Sequence, residues 1–205
     1  FLKIRPMGRR APRVADVLPR PLLQELRTDH AGETGAVMIY RGILAVTRDP
    51  ALRSFAQQHL ETEQRHLSLV EQVTPMQWRS RLLPLWRLSG WMTGALPACF
   101  GPRAVYATIR AVETFVDRHY AEQLVLIDTL QHQASDQATN QITRPQPRAD
   151  LQALREMLSE CQADEVAHRE DAAARWDGRG GVVLALWCLL VGKGSHAAVR
   201  ICRHV

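Results

Sequence analysis

Apolar residues recur at helical spacing along most of the chain, and no stretch alternates apolar and polar positions as a half-buried strand does. Prolines, glycines and aspartates bound the periodic segments, as they do at helix ends. The pattern predicts four long amphipathic helices over 21–48, 51–73, 102–131 and 150–176. We therefore expect an all-α fold with a four-helix core.

Two apolar segments, 76–100 and 182–192, lie outside this pattern. The longest charge-free run of the first, 88–100, has 13 residues, and the second has 11, and both are shorter than the roughly 20 apolar residues that a membrane-spanning helix needs. Segment 76–100 contains three tryptophans and three arginines, a composition typical of a segment in a membrane interface. A connection between helices that packs on the bundle explains it equally well.

Polar and charged residues define the remaining segments. Residues 1–20 predict a basic arm with three prolines, residues 132–149 predict a long polar loop, and 21–205 is expected to be a single domain. The chain has 26 basic and 21 acidic residues, a net charge of +5, and much of the excess lies at its ends. Basic ends suit an anionic membrane surface or a solvated tail, and without a recognised motif we expect no nucleic-acid partner. Four scattered cysteines favour a reducing compartment.

The pattern Glu-x-x-His occurs once in the second and once in the fourth predicted helix, as Glu63/His66 and Glu165/His168. A helix turns about 100° per residue, so each pair projects from one face and can bind one metal ion. A single glutamate stands one helix earlier in each half, Glu33 and Glu113. Two Glu-x-x-His helices and two helices with one inward glutamate form the ligand set of di-iron carboxylate four-helix bundles.

Distances along the helices test whether these groups meet. Glu33 lies 16 residues before the turn at Asp49, and Glu63 lies 13 residues after Pro50, which correspond to rises of about 24 and 20 Å. In the second half, Glu113 and Glu165 lie about 26 and 23 Å from their common connection. All four helices therefore bring their ligands to a similar level, and the two halves read as a repeated helical hairpin joined by segment 76–100.

Four carboxylates and two imidazoles at one buried level repel one another and lose hydration unless cations neutralise them. Two divalent ions carry the four positive charges that balance four carboxylates. Oxygen and imidazole ligands without thiolates suit iron or manganese. The alternative, in which these residues form solvated helix faces, does not explain why spacing, pairing and level agree.

The residues around these positions resemble the demethoxyubiquinone hydroxylases of ubiquinone biosynthesis. The resemblance covers about residues 21–205 and is carried by four stretches: 26–36 (LRTDHAGETGA), 63–66 (EQRH), 111–120 (AVETFVDRHY) and 164–171 (DEVAHRED). It implies a ferritin-like di-iron bundle with an interfacial crossover and an apolar C-terminal helix. It also implies a monooxygenase that hydroxylates the ring of a polyprenyl demethoxybenzoquinol with dioxygen, the penultimate step to ubiquinone.

The resemblance further implies the cofactors and surroundings. Glu33, Glu63 and His66 would hold one iron, and Glu113, Glu165 and His168 the other, with Glu63 and Glu165 bridging both. Electrons would come from NADH through the quinone itself. The protein would lie on the cytoplasmic face of a bacterial inner membrane or the matrix face of the mitochondrial inner membrane. Its partners would be the long-chain quinol, the membrane surface and a lipid-binding biosynthetic protein, and a homo-oligomer stays open.

For residues next to the predicted ligands, the sequence allows two roles each. Tyr120, seven residues after Glu113 and adjacent to His119, is predicted to act near the substrate or in electron transfer, or to be a core tyrosine with a satisfied hydroxyl. Asp164 orients a ligand histidine or faces solvent. Gly32 and Gly35 permit close approach of a helix or of substrate, or mark a local helix irregularity.

Two other function classes remain open at this stage. A ferritin-like iron-storage or peroxide-scavenging protein shares the ligand set, but has no use for the tryptophan-rich crossover and apolar tail. A non-catalytic helical protein on the membrane surface would bind no iron.

Overall fold

In the computed structural model, residues 18–138 and 146–205 are described, apart from the side chains of 134–138 and 146–149. These residues contain no strand, which confirms the all-α prediction. A short 3₁₀ turn at Met76–Trp78 precedes the third helix. The helices are α1 Arg20–Val46, α2 Pro50–Val73, α3 Leu83–Ala98, α4 Pro102–Ala138, α5 Gln146–Arg175 and α6 Val182–Cys202.

The ferritin-like bundle consists of two helical hairpins, α1 with α2 and α4 with α5. The first hairpin turns within three residues because the Asp49 carboxylate caps α2, accepting the backbone N–H of Leu52 at 2.8 Å, and Pro50 suits the first helical turn. Gly101, with φ of 93°, makes the turn into α4 that a residue with a side chain resists. The predicted repeat of two hairpins is therefore confirmed.

The polar loop predicted over 132–149 is wrong over most of its length. Helix α4 continues to Ala138, and α5 begins at Gln146, so Asp150 lies inside α5 and does not cap it. Glutamine and alanine, frequent in 131–138, are good helix formers, and a proline is tolerated in a first helical turn. Residues 139–145 of this loop, and 1–17 of the predicted arm, lie outside the described residues.

Segment 76–100 crosses between the hairpins and packs on α1 through helix α3. The contact is backbone to backbone: a Cβ added to Gly90 would lie 2.3 Å from the Gly35 carbonyl oxygen, and one added to Gly94 would lie 1.9 Å from that of Ile39. The crossover is thus a packed connection. Its outer side is nevertheless apolar and exposed, with Leu88 60% exposed.

Helix α6 extends beyond the apolar run 182–192, which alone is too short to span a bilayer. It continues through Lys193 for 21 residues, and among the described helices it alone is long and apolar enough to cross a membrane by length and composition, with a mean hydropathy of 1.7. A single lysine does not end a helix whose neighbours keep helical spacing. The helix lies along α4, where the Trp187 indole donates to Thr108 Oγ1 at 2.9 Å.

The bundle core has two apolar layers with a polar layer between them. One layer gathers around Tyr40, Phe55 and Ile109, and the other around Leu26, Ile127 and Leu158. Each of the four bundle helices crosses from one apolar layer to the other, and the predicted metal ligands lie between the two layers. The ligands therefore lie at a similar level along the four helices, as predicted from their distances to the connections.

Candidate metal centre

The six predicted ligands converge in the polar layer. None of their side chains is more than 9% exposed. One ligand atom from each forms two sets of four, and within a set these atoms lie within 4.8 Å of one another. The first set is Glu33, Glu63, His66 and Glu165; the second is Glu63, Glu113, Glu165 and His168.

Glu63 and Glu165 belong to both sets. These are the two glutamates that the resemblance assigns as bridges, while Glu33 and Glu113 each belong to one set. The geometry therefore fits two metal ions that share two carboxylates. That these residues bind metal remains a prediction.

Several oxygen and nitrogen atoms of the cluster have no hydrogen-bond partner among the described residues. They include both carboxylate oxygens of Glu63, Oε2 of Glu33 and of Glu165, and Nδ1 of His168. His168 Nδ1 lies 3.0 Å from Glu63 Oε1, yet the pair is not aligned as a hydrogen bond. Buried polar atoms are normally satisfied, and lone pairs this close without a proton between them suit a shared cation. The donor set thus fits a metal centre.

Without cations, protons have to balance the cluster. Burial and the charge of Glu165 raise the pKa of Glu33 to about 7. Burial and neighbouring carboxylates, Glu165 first, also raise the pKa of Glu63 and of Glu113 well above the usual value. Metal ions would displace these protons, so metal binding and proton release are coupled.

Glu165 behaves oppositely because both histidines face it. Burial raises the pKa of its carboxyl, but contacts with the rings of His168 and His66 outweigh this and lower it to about 2. For His66, burial lowers the pKa of the ring, because it disfavours the charged form. The hydrogen bond to Glu165, at 3.0 Å, and the surrounding carboxylates outweigh burial and raise this pKa to about 9. Glu165 is consequently the carboxylate most firmly held ionised at the centre.

Side chains outside the six orient them. His66 Nε2 lies 3.0 Å from Asp164 Oδ2, so Asp164 orients the ring of His66, a predicted ligand. The buried Tyr120 hydroxyl donates to Glu33 Oε1, which places Tyr120 beside the centre. Its catalytic role remains a prediction.

A second chain of contacts, which the sequence did not predict, lies on the other side of the cluster. Tyr40 donates its hydroxyl to Glu113 Oε1 at 3.1 Å and lies 3.3 Å from Nδ1 of His59, whose Nε2 is 3.0 Å from Asp171 Oδ2. Burial, and then the charge of His168, lower the pKa of His59 to about 4. A signal for Tyr40 existed, because it follows Glu33 by seven residues as Tyr120 follows Glu113. A lone histidine such as His59 gave none.

His119, the neighbour of Tyr120, belongs to a separate buried polar group. Its Nε2 lies 2.8 Å from Thr28 Oγ1 and 2.8 Å from Gln123 Nε2, and Gln123 also donates to Asp29. Burial lowers the pKa of His119, but Asp29 beside it raises the pKa overall. None of these contacts of His119 was predicted from sequence.

A cavity of about 500 Å³ reaches the cluster from one side of the bundle, between α1, α3, α4 and α6. Glu33, Glu63, Glu113 and Glu165 all line it, as does Tyr120, while most of the remaining wall is apolar. Leu190 lines the cavity and is 63% exposed, so the cavity opens to the outside next to α6. An apolar molecule that enters there meets the carboxylates at the inner end.

Comparison with known proteins agrees with this arrangement. The family described as "Ubiquinone biosynthesis protein COQ7" matches residues 20–202. A protein of Dictyostelium discoideum named a mitochondrial NADPH-dependent 3-demethoxyubiquinone 3-hydroxylase is 36% identical over 114 residues, 52% of this chain and 51% of that protein. A Rhodospirillum rubrum protein named 3-demethoxyubiquinol 3-hydroxylase is 39% identical over 112 residues, 53% of each chain.

These two matches span about half the length of the relatives, whereas a Caenorhabditis elegans protein with the same printed name as the Dictyostelium one is 24% identical over 182 residues, 88% of each chain. The family match covers nearly all the helices described above, including both Glu-x-x-His helices. The resemblance drawn from the sequence is confirmed. The chain belongs to the COQ7 family of ubiquinone biosynthesis proteins.

Proposed function

We propose that the chain is a di-iron monooxygenase that hydroxylates the ring of a polyprenyl demethoxybenzoquinol, using dioxygen. One observation carries this: four buried carboxylates, three of them with unsatisfied oxygens, form the inner end of an apolar cavity that is open to the outside. The printed names of the relatives, demethoxyubiquinone or demethoxyubiquinol hydroxylases, support the same substrate class.

The six ligands keep the assignment given above, with Glu63 and Glu165 shared between two irons. When bound, the irons supply the one-electron chemistry that lets dioxygen react with an organic ring. The chain itself contributes position and environment. The apolar walls hold the ring and exclude water, Tyr120 fixes Glu33 through its hydroxyl, and Asp164 fixes the ring of His66.

The reaction needs two electrons for each dioxygen, and a reduced nicotinamide cofactor is the proposed source. The sequence resemblance suggested NADH, whereas several relatives are named NADPH-dependent. We keep the donor as this class of cofactor, acting through the quinone. A lipid-binding protein that delivers the quinol is proposed as a further partner on the resemblance alone.

The location that suits such a substrate is the membrane surface. We define the apolar face as the exposed Leu85, Leu88, Met92 and Leu96 of α3 with Leu186, Leu189 and Leu190 of α6. Both helices flank the cavity, so a long-chain quinol would pass from the lipid directly to the carboxylates. We propose peripheral attachment because the inner side of α6 lines the cavity and Arg203 pairs with Glu25 of α1 at 2.8 Å.

Glu165→Ala tests the proposal, since Glu165 is shared by both ligand sets. We expect iron content to fall by at least about half and ring hydroxylation to be lost, while helical circular dichroism survives because the two apolar layers are intact. Reduced protein is mixed with a short-chain demethoxyquinol and dioxygen, and product is measured by mass spectrometry. Glu160→Ala, an exposed position on the same helix, is the control.

Two results would contradict the proposal. Normal turnover by Glu165→Ala would overturn the ligand assignment. Iron oxidation by the unmodified protein without hydroxylated product would favour a storage or peroxide-scavenging protein.

A further inference from the structure

Helical glycines in this protein fall into two groups according to what a side chain would meet. Gly42, Gly90 and Gly94 are required by packing, since an added Cβ would lie within 2.3 Å of a backbone oxygen of the facing helix. At Gly32 in α1 and at Gly192 and Gly194 in α6, an added Cβ would meet nothing within 4 Å. Of these three, Gly32 and Gly194 line the cavity and Gly192 does not. The protein's own packing does not explain these two.

Backbone conformation does not explain them either. Among the described residues, the glycines with positive φ are Gly101 and Gly178, both outside helices. Glycine inside a helix is less favourable than alanine, because it exposes the backbone to water and loses more conformational entropy on folding. Gly32 and Gly194 therefore lower helix stability without an internal structural reason.

Both glycines line the cavity that ends at the carboxylates. Gly32 directly precedes Glu33 and is exposed to that open space. A flat ring can approach a helix most closely where the backbone is bare. For the two glycines that line the cavity, a molecule that enters it is the candidate for requiring a missing side chain.

We propose that Gly32 is a specificity-determining position, at which the quinol ring lies against bare backbone of α1 on its way to Glu33. Gly194 widens the same cavity from α6. This inference rests on the proposed function and adds to it the position that decides how wide a ring is admitted. The polyprenyl tail occupies the apolar remainder of the cavity and is not read by Gly32.

Ligand binding by the iron-loaded protein under argon tests this without turnover. Trp86 and Trp187 line the cavity, so quenching of their fluorescence reports a bound quinone. The probe is a short-chain demethoxybenzoquinone, and farnesol, which has a prenyl chain but no ring, is the competing ligand. Gly32→Val is expected to weaken quinone binding about tenfold and to leave farnesol affinity unchanged.

Matched variants separate the ring site from general effects. Gly192→Val places the same side chain on α6 at a position outside the cavity wall, and it should bind both ligands like the unmodified protein. Gly32→Ala is the smaller change if Gly32→Val folds poorly. It should keep or raise the melting temperature, since alanine favours the helix, and still weaken the quinone more than farnesol.

The outcomes are distinguishable from failure of the proposed function. If the unmodified protein binds no ring-bearing quinone, the proposed function fails. If it binds and hydroxylates the quinone but Gly32→Val and Gly32→Ala bind it equally well, this inference alone is overturned. Equal loss of quinone and farnesol binding would also overturn it, because the side chain would then close the cavity and not select the ring.

Discussion

Two tyrosines each donate one hydrogen bond from one half of the bundle to the other. Tyr40 and Tyr120 each follow a predicted ligand of their own helix by seven residues, and each donates to the ligand of the opposite half, Glu113 and Glu33. The repeat thus extends beyond the six ligands to their supports. The two tyrosines differ in surroundings, since Tyr120 lines the cavity and Tyr40 is in contact with His59.

Replacing each tyrosine by phenylalanine should separate stability from catalysis. Both Tyr40→Phe and Tyr120→Phe leave a buried carboxylate oxygen without its donor, and each should lower the free energy of unfolding by about 1–3 kcal/mol. Only Tyr120→Phe should reduce kcat for the quinol, by about tenfold, with iron content retained. Denaturant unfolding, iron analysis and steady-state kinetics check this, with Tyr106→Phe as the control. Equal kinetic effects of the first two variants would refute the distinction.

At this scale the sequence predicted the six ligands, which follow one spacing in both halves of the chain, and missed contacts between helices that follow no spacing. Glu63/His66 and Glu165/His168 repeat one spacing in two helices, and Glu33 and Glu113 each stand one helix earlier, so the sequence predicted that the six side chains would meet. His59 and Asp171 meet across two helices, and no spacing within one helix signals such a contact. Tyr40 could have been found from the repeat, but a tyrosine at helical spacing also suits an apolar core.

Among the elements, α1 and α3 approach more closely than side chains allow. The contact depends on Gly90 and Gly94 facing the carbonyl groups of Gly35 and Ile39. Helix α3 in turn forms one wall of the cavity, with Trp86 and Thr93 among its contributions. Movement of α3 away from α1 would therefore alter the cavity as well as the packing.

Gly94→Ala tests this contact. The added Cβ would lie 1.9 Å from the Ile39 oxygen, and because both sides are backbone, neither can rotate away. Strain should exceed the gain in helix propensity and lower the free energy of unfolding by about 2 kcal/mol net. Urea unfolding measures this. Gly192→Ala, which meets no atom within 4 Å, should be neutral or stabilising; equal stability of both variants would contradict the close approach.

Helices were predictable where apolar residues recur at helical spacing, and less predictable where the sequence is polar throughout. The predicted ends of the four bundle helices differ from the observed ones by a few residues. The largest differences are at the C-terminus of α4 and the N-terminus of α5, which both extend into 132–149. Glutamine-rich and aspartate-rich sequence suits a solvated helix as well as a loop, so composition alone does not separate them. The apolar run 182–192 is too short by itself to span a bilayer, but α6 joins it to the residues after Lys193, because a charge does not interrupt helical hydrogen bonding.

For the whole molecule, the apolar face predicts attachment to lipid. Leu88→Glu combined with Leu186→Glu puts two charges into this face and should reduce co-sedimentation with vesicles containing anionic lipid by about tenfold, since ionised groups resist transfer into the interface. Val125→Glu is the control, because Val125 of α4 is similarly exposed, at 66%, outside the apolar face. Equal loss for control and double variant, or no loss, would argue against attachment through α3 and α6.

If the six residues bind metal as proposed, protons and metal ions would compete for the same buried charges, and the stability of the whole protein should depend on pH in a way that metal reverses. In the metal-free protein, the pKa of His66 is raised from 6.5 to about 9, and that of Glu33 from 4.5 to about 7. Groups with a raised folded pKa stabilise the fold below the unfolded pKa and lose this contribution as pH rises through the folded one. His59 acts oppositely, but its pKa is lowered to about 4 and its contribution is complete above 6.5.

Between about pH 6.5 and 9, therefore, metal-free protein should lose stability on the order of 3 kcal/mol from His66 alone, or roughly 10 °C in melting temperature. Under the proposed function, ferrous iron would replace the protons and keep the carboxylates ionised. The iron-loaded protein should then change little over this range, and the difference between the two melting temperatures should widen as pH rises. Anaerobic thermal unfolding with and without iron measures it, and Glu165→Ala should show no widening. A difference that stays constant or narrows with rising pH would mean that these side chains do not exchange protons for metal.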